Sequence, residues 1–289
     1  VDPLSDHPGT LPEFDALAAK AGAENFPVAL RVLPAAWRAD LHASYVYARL
    51  VDDVGDEYTG DRLAVLDHIE AELLAATADP TRRTAHAAIA GAADLARRRP
   101  AVLGELRKLI DANRRDQVQQ RYATFDELRD YCRLSADPVG RIVLEIVDQA
   151  TDDRRAQSDD VCSALQIIEH LQDVAEDHAA GRVYLPQEDL ARFGCTDADL
   201  GAATASDAVR RLVAFEADRA RALLSSARPL AAGLPWRARL AIAGFAAGGL
   251  AALDAIAAAG YDVLGTACRP STSRIVRHAV PLAMTWRRR

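Results

Sequence analysis

"ARLVDDVGDEY", residues 48–58, sets four acids (Asp52, Asp53, Asp56 and Glu57) within six residues at the end of a segment that reads as a packed helix. On a helix, Tyr45, Arg49, Asp52 or Asp53, and Asp56 fall three to four residues apart along one stripe. Asp52 and Asp56 then hold their carboxylates side by side, one turn apart. Like charges at that spacing repel, so the cluster costs stability unless a cation is to be bound. Taken alone it fits two readings: a solvated helix end, or half of a site that holds a multiply charged ligand through metal ions.

The device recurs in "SALQIIEHLQDVAEDHAAGRVYLP", residues 163–186. Asp173 and Asp177 are again at i and i+4, with Glu169 one turn earlier and Glu176 between them. Leu165, Ile167, Ile168 and Leu171 make the upstream helix a packed one, and a polar turn then presents Arg182 and Tyr184. Paired carboxylates suit Mg²⁺, a hard ion that keeps several waters and takes a few carboxylates plus phosphate oxygens. Facing each other across a bundle, the two pairs would bridge two or three Mg²⁺ around one diphosphate, as an order of magnitude for such sites. Arg49 and Arg182 would add charge-assisted contacts. Such chemistry ionises a diphosphate: metals stabilise the departing charge, and a dry aromatic pocket shelters the carbocation. A di-iron bundle would want Glu-x-x-His pairs; here Glu169 and His170 are adjacent and no second pair exists.

The rest of the chain supports a helical frame. "DRLAVLDHIEAELLAATA" (61–78) and "DAVRRLVAFEADRARALLSSA" (207–227) repeat apolar residues every three or four positions. Breaks fall at Pro80, Pro100, Asp137-Pro138, Gly181 to Pro186, Gly194, Gly233 to Pro235 and Gly260. They leave roughly ten helices, with the longest non-helical piece expected from about Ala180 to Asp197. No repeat or linker divides the 289 residues, half of them hydrophobic, so one all-α domain is expected. A net charge of −7 with no basic stripe argues against a nucleic-acid partner. The scattered Cys132, Cys162, Cys195 and Cys268 indicate neither zinc site nor disulfide framework and suit a reducing cytoplasm. "VDPLSDHPGT", residues 1–10, has no secretory pattern. The apolar run Leu240 to Leu253 is short for a bilayer span and meets Asp254, so it reads as a buried core helix. "SRIVRHAVPLAMTWRRR" (273–289) mixes arginines with apolar residues; it fits an element resting on an anionic membrane surface or a capping helix with a solvated basic tail. The histidines show no partner spacing and are expected mostly at the surface.

These motifs resemble those of the squalene and phytoene synthase family. "YVYARLVDDVGDE" (45–57) is similar to its first aspartate-rich motif and "LQDVAEDHAAGRVYLP" (171–186) to its second. "ENFPVALRVLP" (24–34) resembles the segment that opens the family's site, with Asn25 and Phe26 near the diphosphate. "YCRLSADPVG" (131–140) resembles the kinked helix lining the prenyl tunnel, and "GYDVL" (260–264) the C-terminal element. The runs "RYATFDEL", "YCRLSADPVGR" and "GRVYLPQEDLARFG" look most like the hydroxysqualene synthase branch of bacterial hopanoid biosynthesis.

The resemblance implies an all-α, single-domain bundle of the isoprenoid synthase type over residues 1–289, with a central active-site cavity and residues 1–20 as a loosely ordered lead. It implies conversion of presqualene diphosphate to hydroxysqualene, with two or three Mg²⁺ and no nicotinamide, as suits a chain lacking a GxGxxG fingerprint. Condensation of two farnesyl or geranylgeranyl diphosphates is the alternative in the same fold, and a non-enzymatic assembly factor a remote one. The implied metal ligands are Asp52, Asp56, Glu169, Asp173 and Asp177, with Tyr45 and Gln172 also catalytic. Arg49, Tyr131, Ala136, Gly140, Gln166, Arg182, Tyr184 and Arg269 join Asn25 and Phe26 as substrate contacts. Asp53 reads as a surface acid or a further contributor. The implied setting is cytoplasmic, peripheral at the inner membrane face, between a presqualene diphosphate synthase and a flavin-dependent squalene-forming reductase. Three departures stand out. Glu169 and Gln172 replace the Asn and Arg many members carry before the second motif, and the basic residue expected just after the C-terminal tyrosine is delayed to Arg269.

Overall fold

Proline, glycine and short polar side chains set most of the helix boundaries. In the computed structural model, which describes residues 11–13, 15–17, 33–84 and 86–284, Pro34 precedes α1 (Ala35–Glu57) and fixes the approach of the chain. Asp61 caps α2 (Arg62–Ala78) by accepting the Ala64 N–H, and His86 caps α3 (Ala87–Arg98) by accepting that of Ala88. Pro100 opens α4 (Ala101–Asp116). Thr124 and Thr151 cap α5 (Phe125–Ser135) and α7 (Asp152–Gln172) in the same way. α6 (Asp137–Ile146) carries Pro138 in its first turn, where a missing N–H costs nothing.

The chain divides into two compact units, Val1–Val118 with Pro138–Ala150, and Gln119–Asp137 with Thr151–Arg289. In the first, α1 to α4 pack on one another around Leu50, Leu66, Ile69, Leu73, Leu106 and Ile110, joined by Ile142 and Ile146 of α6. Each such side chain contributes roughly 1.5–3 kcal/mol by leaving water. α1 turns Val46, Tyr47, Leu50, Val51 and Val54 into that core, which leaves its Tyr45–Arg49–Asp52–Asp56 stripe at the edge. Asp40, buried on the same helix, is neutralised by Arg98 at 2.7 Å and Arg99 at 3.6 Å.

The second unit is built on α7, α11 (Asp207–Leu224) and α13 (Trp236–Ala258), which pack pairwise. Gly249 makes this close: a Cβ there would lie 2.6 Å from Leu165 Cδ2 of α7. α13 is longer than the apolar run suggests; by length and composition it could cross a bilayer, yet it packs against α7, α11, α12 (Ala227–Ala232) and α14 (Thr272–Ala283), and twelve of its residues are buried. It is a core helix of this unit.

Fourteen helices occur among the described residues, against the roughly ten expected. The excess is short: α8 (Val174–Ala179), α9 (Gln187–Phe193), α10 (Asp197–Leu200) and α12 are too brief to show a period. α9 corrects the expectation of an unbroken non-helical piece from Ala180 to Asp197. Pro186 precedes it, Glu188 and Asp189 favour its first turn, and Gly194 ends it at φ 70°. The only bridge among the described residues is an isolated parallel one, Arg121 to Val183.

Candidate functional site

α1 presents the first acid pair as the sequence predicts. Tyr45, Arg49 and Asp52 are half-buried along its edge and Asp56 is exposed. Asp53 is not a surface acid: it is buried, with Arg49 across one turn at 3.5 Å. Its place on the helix, one step from Asp52, turns it inward among Val51 and Val54.

Two residues missed by the sequence reading support this half. Asn113 of α4 is buried and donates its Nδ2–H to Asp52 Oδ1 at 3.1 Å and to the Leu109 carbonyl at 3.1 Å. Gln117 donates to the carbonyls of Gly55 at 3.1 Å and Asn113 at 3.0 Å. Gly55 is what lets α4 come this near, since a Cβ there would overlap the Asn113 Oδ1. Arg62 reaches back to the Asp56 and Tyr58 carbonyls at 2.8 and 2.9 Å, closing the end of α1. The available signal was Asn113 itself, a polar residue on the apolar side of an amphipathic helix.

The second pair is built differently. α7 stops at Gln172, Asp173 leaves the helical region at φ −107° and ψ 14°, and α8 starts at Val174. The i,i+4 relation survives the break, because the Asp177 N–H still donates to the Asp173 carbonyl at 2.8 Å. Asp173 and Asp177 are half-buried, whereas Glu169 and Glu176 are exposed. Burial, reinforced by the Asp177 and Glu176 charges, raises the Asp173 carboxyl above its usual range, although His170 opposes this.

Around this turn the structure gathers most of the second-half residues. Gly181, at φ 83°, returns the chain so that Arg182 lies 3.6 Å from Asp177. Backbone bonds from Val183 to Gln120 and from Gln187 to Tyr122 stitch residues 120–122 to 183–187. They bring Tyr122 to 5.7 Å and Tyr131 to 5.6 Å from the buried Tyr184 ring. His170 completes the aromatic group, stacked on Tyr184 at 3.7 Å between ring centres. It also stands 3.3 Å from Gln166 Nε2 and 3.7 Å from Asp177. A small opening here is lined by His170, Val174, Asp177, Arg182, Tyr184 and Leu200. His170 is thus no surface histidine: stacking on a tyrosine fourteen residues later leaves no spacing signal. Gln172 donates its side-chain amide to the Cys268 carbonyl, which fixes the neighbour of the exposed Arg269 beside the second motif.

Ala136 ends α5 as its C-cap and Gly140 lies on α6, both buried, so the kinked-helix expectation appears as two helices with a break at Ala136. Asn25 and Phe26 lie outside the described residues.

The donors suit Mg²⁺ in kind: they are carboxylate oxygens, in pairs one helical turn apart. Among the described residues no group of three or more His, Cys, Asp or Glu closes around one ion.

A family model described as squalene/phytoene synthase matches residues 19–276. The hydroxysqualene synthase of Rhodopseudomonas palustris is 38% identical over 213 residues, which is 72% of this chain and 70% of that one. Among solved structures, squalene synthase HpnC from Alicyclobacillus acidocaldarius aligns with a TM-score of 0.78 at 41% identity, covering 86% of this chain and 94% of that one. A dehydrosqualene synthase solved in complex with ligand aligns at 0.81 and 22% identity over 93% and 94% of the two chains. The fold is the all-helical isoprenoid synthase fold.

Proposed function

This chain belongs to the squalene/phytoene synthase family, and from that premise we propose that it converts presqualene diphosphate to hydroxysqualene, with release of diphosphate. The observation that carries this choice is Gln172. The position before the second motif's first aspartate holds a neutral amide, engaged with the Cys268 carbonyl, instead of the arginine many family members carry there as a diphosphate contact. The hydroxysqualene synthase relative reported above supports the same reading.

Asp52, Asp56, Asp173 and Asp177 would hold Mg²⁺, with Glu169 as a further candidate. Bound there, the metal supplies Lewis-acid stabilisation of the charge that develops on the leaving diphosphate. Arg49 and Arg182, each already beside an aspartate, orient that charge from the protein side. The C–O bond breaks heterolytically and its electron pair leaves with the diphosphate. Tyr131 and Tyr184, packed on each other, would supply aromatic lining for the resulting carbocation. Tyr45 serves the first half from its place on α1. Water then adds to the rearranged cation and loses one proton, so no reductant enters the balance. The substrate comes from a condensing synthase, and the product requires a separate flavin-dependent reduction to become squalene.

The family model spans phytoene as well as squalene chemistry, so condensation of two prenyl diphosphates is the reading to test against. Purified protein would be incubated with presqualene diphosphate and Mg²⁺ without nicotinamide, and separately with farnesyl diphosphate, with products identified by gas chromatography–mass spectrometry. Hydroxysqualene from the first and nothing from the second is the expected result. Presqualene diphosphate formed from farnesyl diphosphate would move the chain to the condensing reaction. A folded, magnesium-replete sample silent in both would point to a non-catalytic role.

A further inference from the structure

We propose that α14 is a docking surface for an anionic lipid bilayer, engaged through the line Val276, Val280 and Met284. α14 has no buried residue, although one side of it lies along α13. Ile275, His278, Ala279 and Leu282 occupy that side, half-buried, and His278 and Arg277 both pair with Asp254 of α13, at 2.8 and 2.5 Å. The opposite side carries Val276 at 54%, Val280 at 50% and Met284 at 77% exposure. They stand at i, i+4 and i+8, which makes one continuous apolar edge. These are three of the eight large apolar side chains most exposed among the described residues, and they share one helix face.

The flank of that edge is basic. Arg274 lies beside it around the helix, Arg277 next to it is shared with Asp254, and from residue 263 onward the sequence holds six arginines (Arg269, Arg274, Arg277, Arg287, Arg288 and Arg289) without one acid. The whole chain, in contrast, carries −7. Apolar residues on one edge, arginines beside them and Trp286 following in sequence are the composition of a helix that lies in a membrane interface. Anionic headgroups supply the complementary charge. A second copy of this chain does not: a two-fold contact through this face would set arginine against arginine.

The full chain would be sedimented with vesicles of phosphatidylcholine alone and of phosphatidylcholine with phosphatidylglycerol, at low and high salt. The expected result is binding to the anionic vesicles only, weakened by salt, and reduced at least about tenfold in Val276→Glu/Val280→Glu/Met284→Glu. The three positions face solvent, so the variant should melt as the parent does; a second variant, Arg287→Ser/Arg288→Ser/Arg289→Ser, tests the charge without touching α14. Failure of the parent to bind, equal binding to both vesicle types, or equal binding by parent and both variants would overturn the proposal. A parent dimer by light scattering that the Glu variant dissolves would assign the edge to a second copy instead, and saturable capture of an acidic peptide with no vesicle binding would assign it to a protein. No substrate enters the assay, so its failure leaves the proposed reaction standing.

Discussion

The two acid pairs share a spacing and differ in what surrounds them. Asp52 and Asp56 ride one unbroken helix and are steadied from beneath by neutral amides: Asn113 on the carboxylate, Gln117 on the Gly55 carbonyl. Asp173 and Asp177 straddle a helix break and are ringed by charge and aromatic faces, namely His170, Arg182 and Tyr184. One half is positioned by backbone regularity with a polar prop. The other depends on a turn held by long-range backbone bonds between residues 120–122 and 183–187. Identical DxxxD patterns therefore do not imply identical mechanical support.

The sharpest way to break that comparison is to remove a carboxylate charge from each half. If each pair holds Mg²⁺ as proposed, Asp52→Asn and Asp173→Asn should each lower diphosphate release about a thousandfold, the equivalent of several kcal/mol of leaving-group stabilisation. Activity surviving in only one of them would show that a single half carries the ionisation. Next comes the prop peculiar to the first half. Asn113→Ala should weaken the apparent Mg²⁺ affinity of turnover roughly 10–100-fold while leaving the melting profile near that of the parent; an unchanged Mg²⁺ titration would reduce Asn113 to packing.

A smaller, purely structural contrast lies in the two close approaches. Gly55→Ala should cost about 1–3 kcal/mol in urea unfolding, because the added methyl meets the buried Asn113 amide. Gly249→Ala should cost less, because it meets the far end of Leu165, a flexible side chain. Equal losses would mean that α7 and α13 yield no more easily than α1 and α4.

A last contrast concerns pH and only the second unit. Glu216 of α11 is buried against Asp189 and Arg219, and burial, with the Asp189 charge, pushes its carboxyl from 4.5 up to about 8. Between those values the folded chain holds a proton that the unfolded chain has released, so stability falls as pH rises from about 4.5 to about 8 and levels off above. Glu216→Gln lacks this loss. Its melting temperature should gain on the parent by a few degrees between pH 5 and pH 8, measured by scanning calorimetry; a constant difference across that range would rule the effect out.

What the sequence disclosed follows from how local each feature is. The i,i+4 spacing of the two acid pairs, the packed α7 and the helix ends at Pro100 and Gly260 depend on neighbours within a turn or two, and these are where the pattern puts them. Hidden from it were the contacts that join distant segments: Asn113 on Asp52 and the 120–122 stitch to 183–187. Neither leaves a periodic trace in either segment. The break at Asp173 was hidden for the opposite reason. It preserves the i,i+4 hydrogen bond, so the spacing reads as continuous helix although the backbone turns. His170 was lost because an imidazole on a tyrosine face has no fixed offset along the chain.

Gly249 carries one more consequence. It touches no carboxylate and lies far along the chain from both motifs, yet it is the hydrogen against which Leu165 and Ile168 rest, one turn ahead of Glu169, His170 and Gln172. A residue bulkier than alanine there would press on Leu165 and Ile168 of α7 and on Leu224 of α11. In a genetic screen such alleles would score as lesions of the reaction, and a hit at position 249 would map the groove between two helices and not a ligand.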